Sequence, residues 1–143
     1  MTYSEVMKEL ESLGTEQTRK IYRNHGADSA LFGVSVADLK KIAKQLKGNH
    51  EVGMKLLHSK NVDAMYLSQF VVDETEICKA DLEQVIECTN YYMILDNVVA
   101  PLLARNQELL KDSLYEYLNS DNPRKQQVAY SAYSIMLGSY DDA

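Results

Sequence analysis

Along this chain the apolar positions recur every third or fourth residue in one segment after another, and a period of two is sustained nowhere. That spacing predicts helices and leaves strands no foothold. The most strongly patterned stretch is 89–103, TNYYMILDNVVAPLL, in which Ile94, Leu95, Val98, Val99 and Leu102 fall on one broad helical stripe. Thr89 or Asn90 stands where an N-cap is needed. With an advance of about 100° per residue, Asp96 comes to the flank of the stripe one turn beyond Tyr92, so a carboxylate sits beside a phenol where core meets surface. Pro101 lacks the amide that would bond the carbonyl of Asn97, which predicts a bend in the helix there.

The other segments follow the same logic. Thr2 and Glu5 have capping-box spacing and open a helix to about Leu13; Gly14 and Thr15 end it and start a second, EQTRKIYRNH, closed at Gly26. Residues 27–33 form the longest loop. Ser35 with Asp38 opens a third helix carrying Val36, Leu39, Ile42, Ala43 and Leu46 on one face, with Gly48 after its last turn. Further helices are expected at about 50–59, 61–73, 79–88, 107–118 and 123–137.

Three junctions resemble one another. Ser59-Lys60-Asn61, Cys88-Thr89-Asn90 and Ser120-Asp121-Asn122 each close one helix and cap the next, at separations of 29 and 32 residues between the asparagines. A short apolar pattern precedes each junction and a longer one follows it. The expectation is an all-α fold of about nine helices, stacked as antiparallel hairpins in a HEAT-like helical-repeat solenoid. An irregular helical bundle is the alternative, because amphipathic hairpins look alike in both settings.

Composition narrows the functional classes. At 143 residues, 45% of them hydrophobic, the chain can bury a core of its own, and a single domain over 1–143 is expected. No apolar run is long enough to span a bilayer, and the N-terminus lacks the basic-then-apolar pattern of a signal peptide, so the expected location is cytoplasmic. Cys78 and Cys88 make no metal or redox motif, and His25, His50 and His58 share no ligand-like spacing, so neither a metal nor a cofactor is assigned. A formal charge of −6 excludes a surface coated with DNA-binding cations but allows a local basic patch. Lys40, Lys41, Lys44 and Lys47 form one such face. Arg124 and Lys125 form another in the first turn of the last helix, where cations oppose the helix dipole and a bound phosphate would supply a reason for them. Either group reads equally as a solvated surface.

The run Tyr22-Arg23-Asn24-His25, then Leu31-Phe32-Gly33-Val34 leading into the helix with Leu39, Lys40 and Lys41, together with residues 90–103, resembles the AlkD-like DNA alkylation repair family. The likeness spans nearly the whole chain and rests on the order and spacing of several segments. Characterised members are HEAT-like solenoids that act as DNA glycosylases on cationic N3- or N7-alkylated purines, without a metal or organic cofactor. By that resemblance Asp96 matches the catalytic aspartate and Tyr22 an aromatic in the DNA-facing groove. Tyr92 stands where active members carry tryptophan, and Gln127 where they carry an arginine, with Arg124 and Lys125 a turn earlier. The family's domain also continues through further repeats, so the chain is expected to lack C-terminal ones.

One carboxylate suffices for the implied chemistry. An alkylated purine already bears positive charge and leaves without protonation, so Asp96 need only stabilise the developing sugar cation and orient a water. The resemblance thus implies recognition and excision of alkylpurines in damaged duplex DNA. The alternative is a non-catalytic HEAT-like module that binds DNA or a protein partner, with Asp96 as a solvated residue paired to a lysine or arginine of a neighbouring helix.

Overall fold

Most of the expected capping side chains meet the helix they were expected to start. In the computed structural model, which describes residues 1–141 and side chains through Gly138, Thr2 Oγ1 accepts from the Glu5 amide at 3.2 Å and opens α1 (Tyr3–Leu13). The last two positions of the expected 1–143 domain lie outside the described residues. Thr15, Ser35, Asn49 and Asn61 cap α2 (Glu16–Asn24), α3 (Val36–Gln45), α4 (His50–Leu57) and α5 (Val62–Ser68) in the same way. After α6 (Lys79–Cys88) comes α7, residues 92–105; Asn106 then caps α8 (Gln107–Leu118), and Asn122 Oδ1 accepts from the Arg124 amide at 2.9 Å at the start of α9 (Pro123–Asp141). Nine helices therefore stand among the described residues, where strands are represented only by an isolated bridge between Ala30 and Asn61. No described helix is long and apolar enough to cross a membrane.

The chain divides into two compact units, residues 1–73 and 74–143. In the first, α1, α3, α4 and α5 enclose a core of Val6, Leu10, Leu39, Ile42, Leu56 and Leu67. The expected fifth helix, 61–73, stops at Ser68. The Ser68 hydroxyl donates to the Met65 carbonyl at 2.6 Å, competing locally with helix continuation, and the chain turns through residues 69–72. Val71 and Val72 stay buried in that turn because α4 comes close at Gly53, where a Cβ would meet the Val72 side chain at 2.8 Å. Their apolar character reports burial and not helicity.

In the second unit α9 packs on α7 and α8. Leu95, Val98 and Leu102 are all buried, as the stripe requires. Leu95→Ala or Leu102→Ala is therefore expected to lower the unfolding free energy by about 2 to 5 kcal/mol in urea titrations, through lost burial and an incompletely collapsed cavity. A smaller loss would mean that the neighbouring helices close over the gap.

Two expectations for α7 need revision. Asn90 is exposed and caps nothing; Thr89 Oγ1 instead accepts from the Tyr91 amide at 3.0 Å, and the helix begins at Tyr92. The middle junction thus differs from those at Asn61 and Asn122. The irregularity expected at Pro101 begins earlier, as a π-helical turn over Leu95–Val99 in which the Ala100 amide bonds the Leu95 carbonyl, five residues back. Pro101 is then the second residue of the α-helical segment Ala100–Arg105 that follows the turn.

Candidate functional site

Asp96 sits in the π turn of α7, half-buried, facing α9. Its Oδ1 accepts from the Ser131 hydroxyl at 2.6 Å and from the Gln127 side-chain amide at 3.2 Å. These two donors lie one turn apart on α9, so a single helix face orients the carboxylate. Among the described residues no lysine or arginine pairs with Asp96, which sets aside the solvated ion pair as its reason for being there. Both partners are neutral, so the charge of Asp96 is steered without being neutralised. Beside it opens a cleft of about 380 Å³ lined by Asp96, Asn97, Pro101, Tyr130, Ser131, Ser134 and Ile135. Tyr130 is 63% exposed at its rim. A fixed carboxylate with an open aromatic beside it can face a flat, electron-poor ring or a sugar on which positive charge develops.

None of the other expected site residues is among those that line this cleft. Tyr92, one turn before Asp96, is 43% exposed and meets buried Tyr91 edge to face, centroids 5.6 Å apart. Gln127 is engaged with Asp96. Arg124 and Lys125, by contrast, have partners inside the protein. The Arg124 guanidinium donates to the Glu87 carbonyl at 3.2 Å, in the last turn of α6, where a cation is favoured by the helix dipole. Lys125 Nζ lies 4.0 Å from Glu83 and 5.5 Å from the centre of the Tyr117 ring, while the Tyr117 hydroxyl itself donates to Glu83. A phosphate is not needed to explain either cation.

Tyr22 belongs to the first unit and is a core residue. It is only 9% exposed, and its hydroxyl donates to the Val34 carbonyl at 2.7 Å. Burial, with Asp63 and Tyr66 adding to it, pushes that hydroxyl up to about 12. An enclosed ring has no free face for a nucleotide, so the groove role expected from the resemblance gives way to a structural one: Tyr22 pins the end of the 27–33 loop.

Sequence reasoning missed Tyr130, Ser131 and Ser134. The signal was present, because Gln127, Tyr130, Ser131 and Ser134 repeat at helical spacing within an otherwise apolar segment, and hydroxyls that interrupt an apolar face point to a polar partner across it. It also missed Asp63, which is fully buried and accepts from the amides of Phe32, Gly33 and Val34. Among the described residues no cluster of side chains suited to holding a metal ion is found.

An uncharacterized protein of Listeria monocytogenes is 35% identical over 88 residues, and one of Listeria innocua is 34% identical over 88 residues; each alignment takes in 59% of this chain and 39% of the relative. A solved structure from a new family of proteins related to the HEAT-like repeat DNA glycosylases, with affinity for branched DNA structures, superposes with a TM-score of 0.87 at 35% identity. That superposition covers 96% of this chain and 58% of the other, so the all-α, HEAT-like repeat fold expected from the sequence is the fold observed. The chain spans about two fifths of the curated relatives it matches. The model of the DNA alkylation repair enzyme family matches residues 6–137, nearly the entire sequence, and the chain therefore belongs to that family.

Proposed function

We propose that this chain recognises DNA whose duplex is branched or distorted, and that the Asp96 cleft receives a nucleotide displaced from the stack. The carrying observation is the likeness along 96% of the chain to a protein described as having affinity for branched DNA, in a fold that keeps an open cleft beside a fixed carboxylate. Fluorescence anisotropy with a labelled four-way junction and a linear duplex of the same base composition tests it. The junction is expected to bind several-fold tighter, with affinity falling steeply as salt rises, because each phosphate neutralised releases counterion. Equal binding of the two DNAs would remove the branched preference, and binding indifferent to salt would point to a protein partner.

A second reading has its own support. Excision of N3- or N7-alkylated purines needs an anion near the sugar, and Asp96 is a carboxylate without an ion-pair partner among the described residues, held by Ser131 and Gln127. Against it stand Tyr92 and Gln127, where the resemblance leads one to expect tryptophan and arginine. A tyrosine still offers an aromatic face, but a neutral amide supplies no charge to a phosphate. Damaged duplex DNA is the substrate on this reading.

A further inference from the structure

The first unit carries a polar surface that the Asp96 cleft does not use. On α3, Lys40 and Lys44 lie one turn apart on one face, and Lys47 follows in the turn after the helix. These three exposed lysines line a groove of about 350 Å³ together with Ala43 and Phe70. Phe70, in the turn after α5, is 38% exposed although it is a large apolar ring. Its ring meets Tyr66 edge to face, centroids 5.9 Å apart, and Lys40 Nζ stands 5.9 Å from its centre. Among the described residues none of the three lysines pairs with a carboxylate, whereas neighbouring Lys41 reaches Asp38 at 3.9 Å.

Charge and shape together narrow the occupant. The chain has 21 acidic and 15 basic residues, so three uncompensated ammonium groups around one groove concentrate positive potential on a surface that is negative on average. An isolated phosphate would need no aromatic ring, and an apolar ligand would need no lysines. A ligand that carries phosphates and flat rings by turns uses both. In a duplex the base faces are occupied by stacking, so only unpaired nucleotides can offer a ring to Phe70. We propose that this groove binds a short run of unpaired nucleotides, with phosphates on Lys40, Lys44 and Lys47 and a base against Phe70. The site lies outside the Asp96 cleft and stands or falls separately from the preference for branched DNA.

The test titrates a fluorescein-labelled oligothymidylate into the full chain at several salt concentrations. The triple variant K40Q/K44Q/K47Q is expected to weaken binding and to flatten the logarithmic salt slope by about two units, as loss of three single-strand phosphate contacts requires. Phe70→Leu, which keeps an apolar side chain in place, is expected to weaken binding about tenfold at an unchanged slope, because stacking is lost and charge is not. Circular dichroism checks that both variants keep the helical fold. Oligothymidylate binding that neither variant alters, or that a polyglutamate chain competes away as well as DNA does, overturns the proposal. With the four-way junction titrated in parallel, loss of the junction preference beside lysine-dependent oligothymidylate binding counts against the earlier reading alone. An intact junction preference beside unaltered oligothymidylate binding counts against this one.

Discussion

Asp63→Ala is expected to lower the unfolding free energy by about 3 kcal/mol or more, because three amides inside the first unit lose their acceptor at once and each buried orphan costs about 1 to 3 kcal/mol. In the protein, Asp63 Oδ1 accepts from Val34 at 2.8 Å and Oδ2 from Gly33 at 3.1 Å and from Phe32. The residue is wholly enclosed in the first turn of α5, where the helix dipole favours an anion. Its grip is reinforced by the Arg19 guanidinium on the Phe32 carbonyl and by the Thr15 amide on the Gly33 carbonyl, each at 3.0 Å. Gly33 has φ of +79°, and a Cβ there would lie 2.7 Å from the Arg19 amide nitrogen, so the loop can close only around glycine. Asp63→Asn should fall between alanine and the native residue, since its amide group puts a donor against a donor. Urea denaturation followed by circular dichroism measures both. A loss below about 1 kcal/mol for alanine would mean that the amides find other acceptors on the way to water.

Asp96→Asn has the larger expected effect on chemistry. If the chain excises alkylpurines, release of 7-methylguanine or 3-methyladenine from methylated DNA should fall by about a hundredfold or more, because a charge aimed at the developing sugar cation is removed while the shape is kept. Junction binding should change by no more than a few fold. The neutral amide can still accept from Ser131, so the variant isolates charge from geometry. Unchanged release would take Asp96 out of the reaction. Absence of release by the native chain, together with salt-dependent DNA binding, would leave recognition as its whole activity.

Much of the fold was legible in the sequence because its signals are local. Capping side chains at Thr2, Thr15, Ser35, Asn61 and Asn122 act within three residues of themselves, and the stripe through Leu95, Val98 and Leu102 needs only helical periodicity to be seen. What escaped depends on residues distant in sequence. Asp63 meets its loop across about 30 positions, and the hydroxyl of Ser131 meets Asp96 across 35. Nothing in the spacing of Tyr22 separates a ring against Val34 from one open to a ligand, and the resemblance pointed the wrong way there. Arg124 misled for a related reason. Its own helix disfavours it, but the carbonyl that welcomes it ends another helix 37 residues earlier.

The π turn of α7 places the candidate carboxylate on an unusual piece of backbone. A π turn accommodates one residue more than the α turn it replaces, so Leu95–Val99 holds a surplus position within an otherwise regular helix. Elsewhere in a helix, adding or removing a residue rotates everything beyond it by about 100° and would turn Leu102 and Leu103 out of the core. Here the surplus is absorbed locally. The buried stripe runs through the turn, from Ile94 and Leu95 by way of Val98 and Val99 to Leu102 and Leu103. Asp96 and Asn97 face the cleft while Val98 and Val99 remain inside. The turn thus meets two demands within five residues, packing the second unit through Leu95, Val98 and Val99 and presenting Asp96 at its surface.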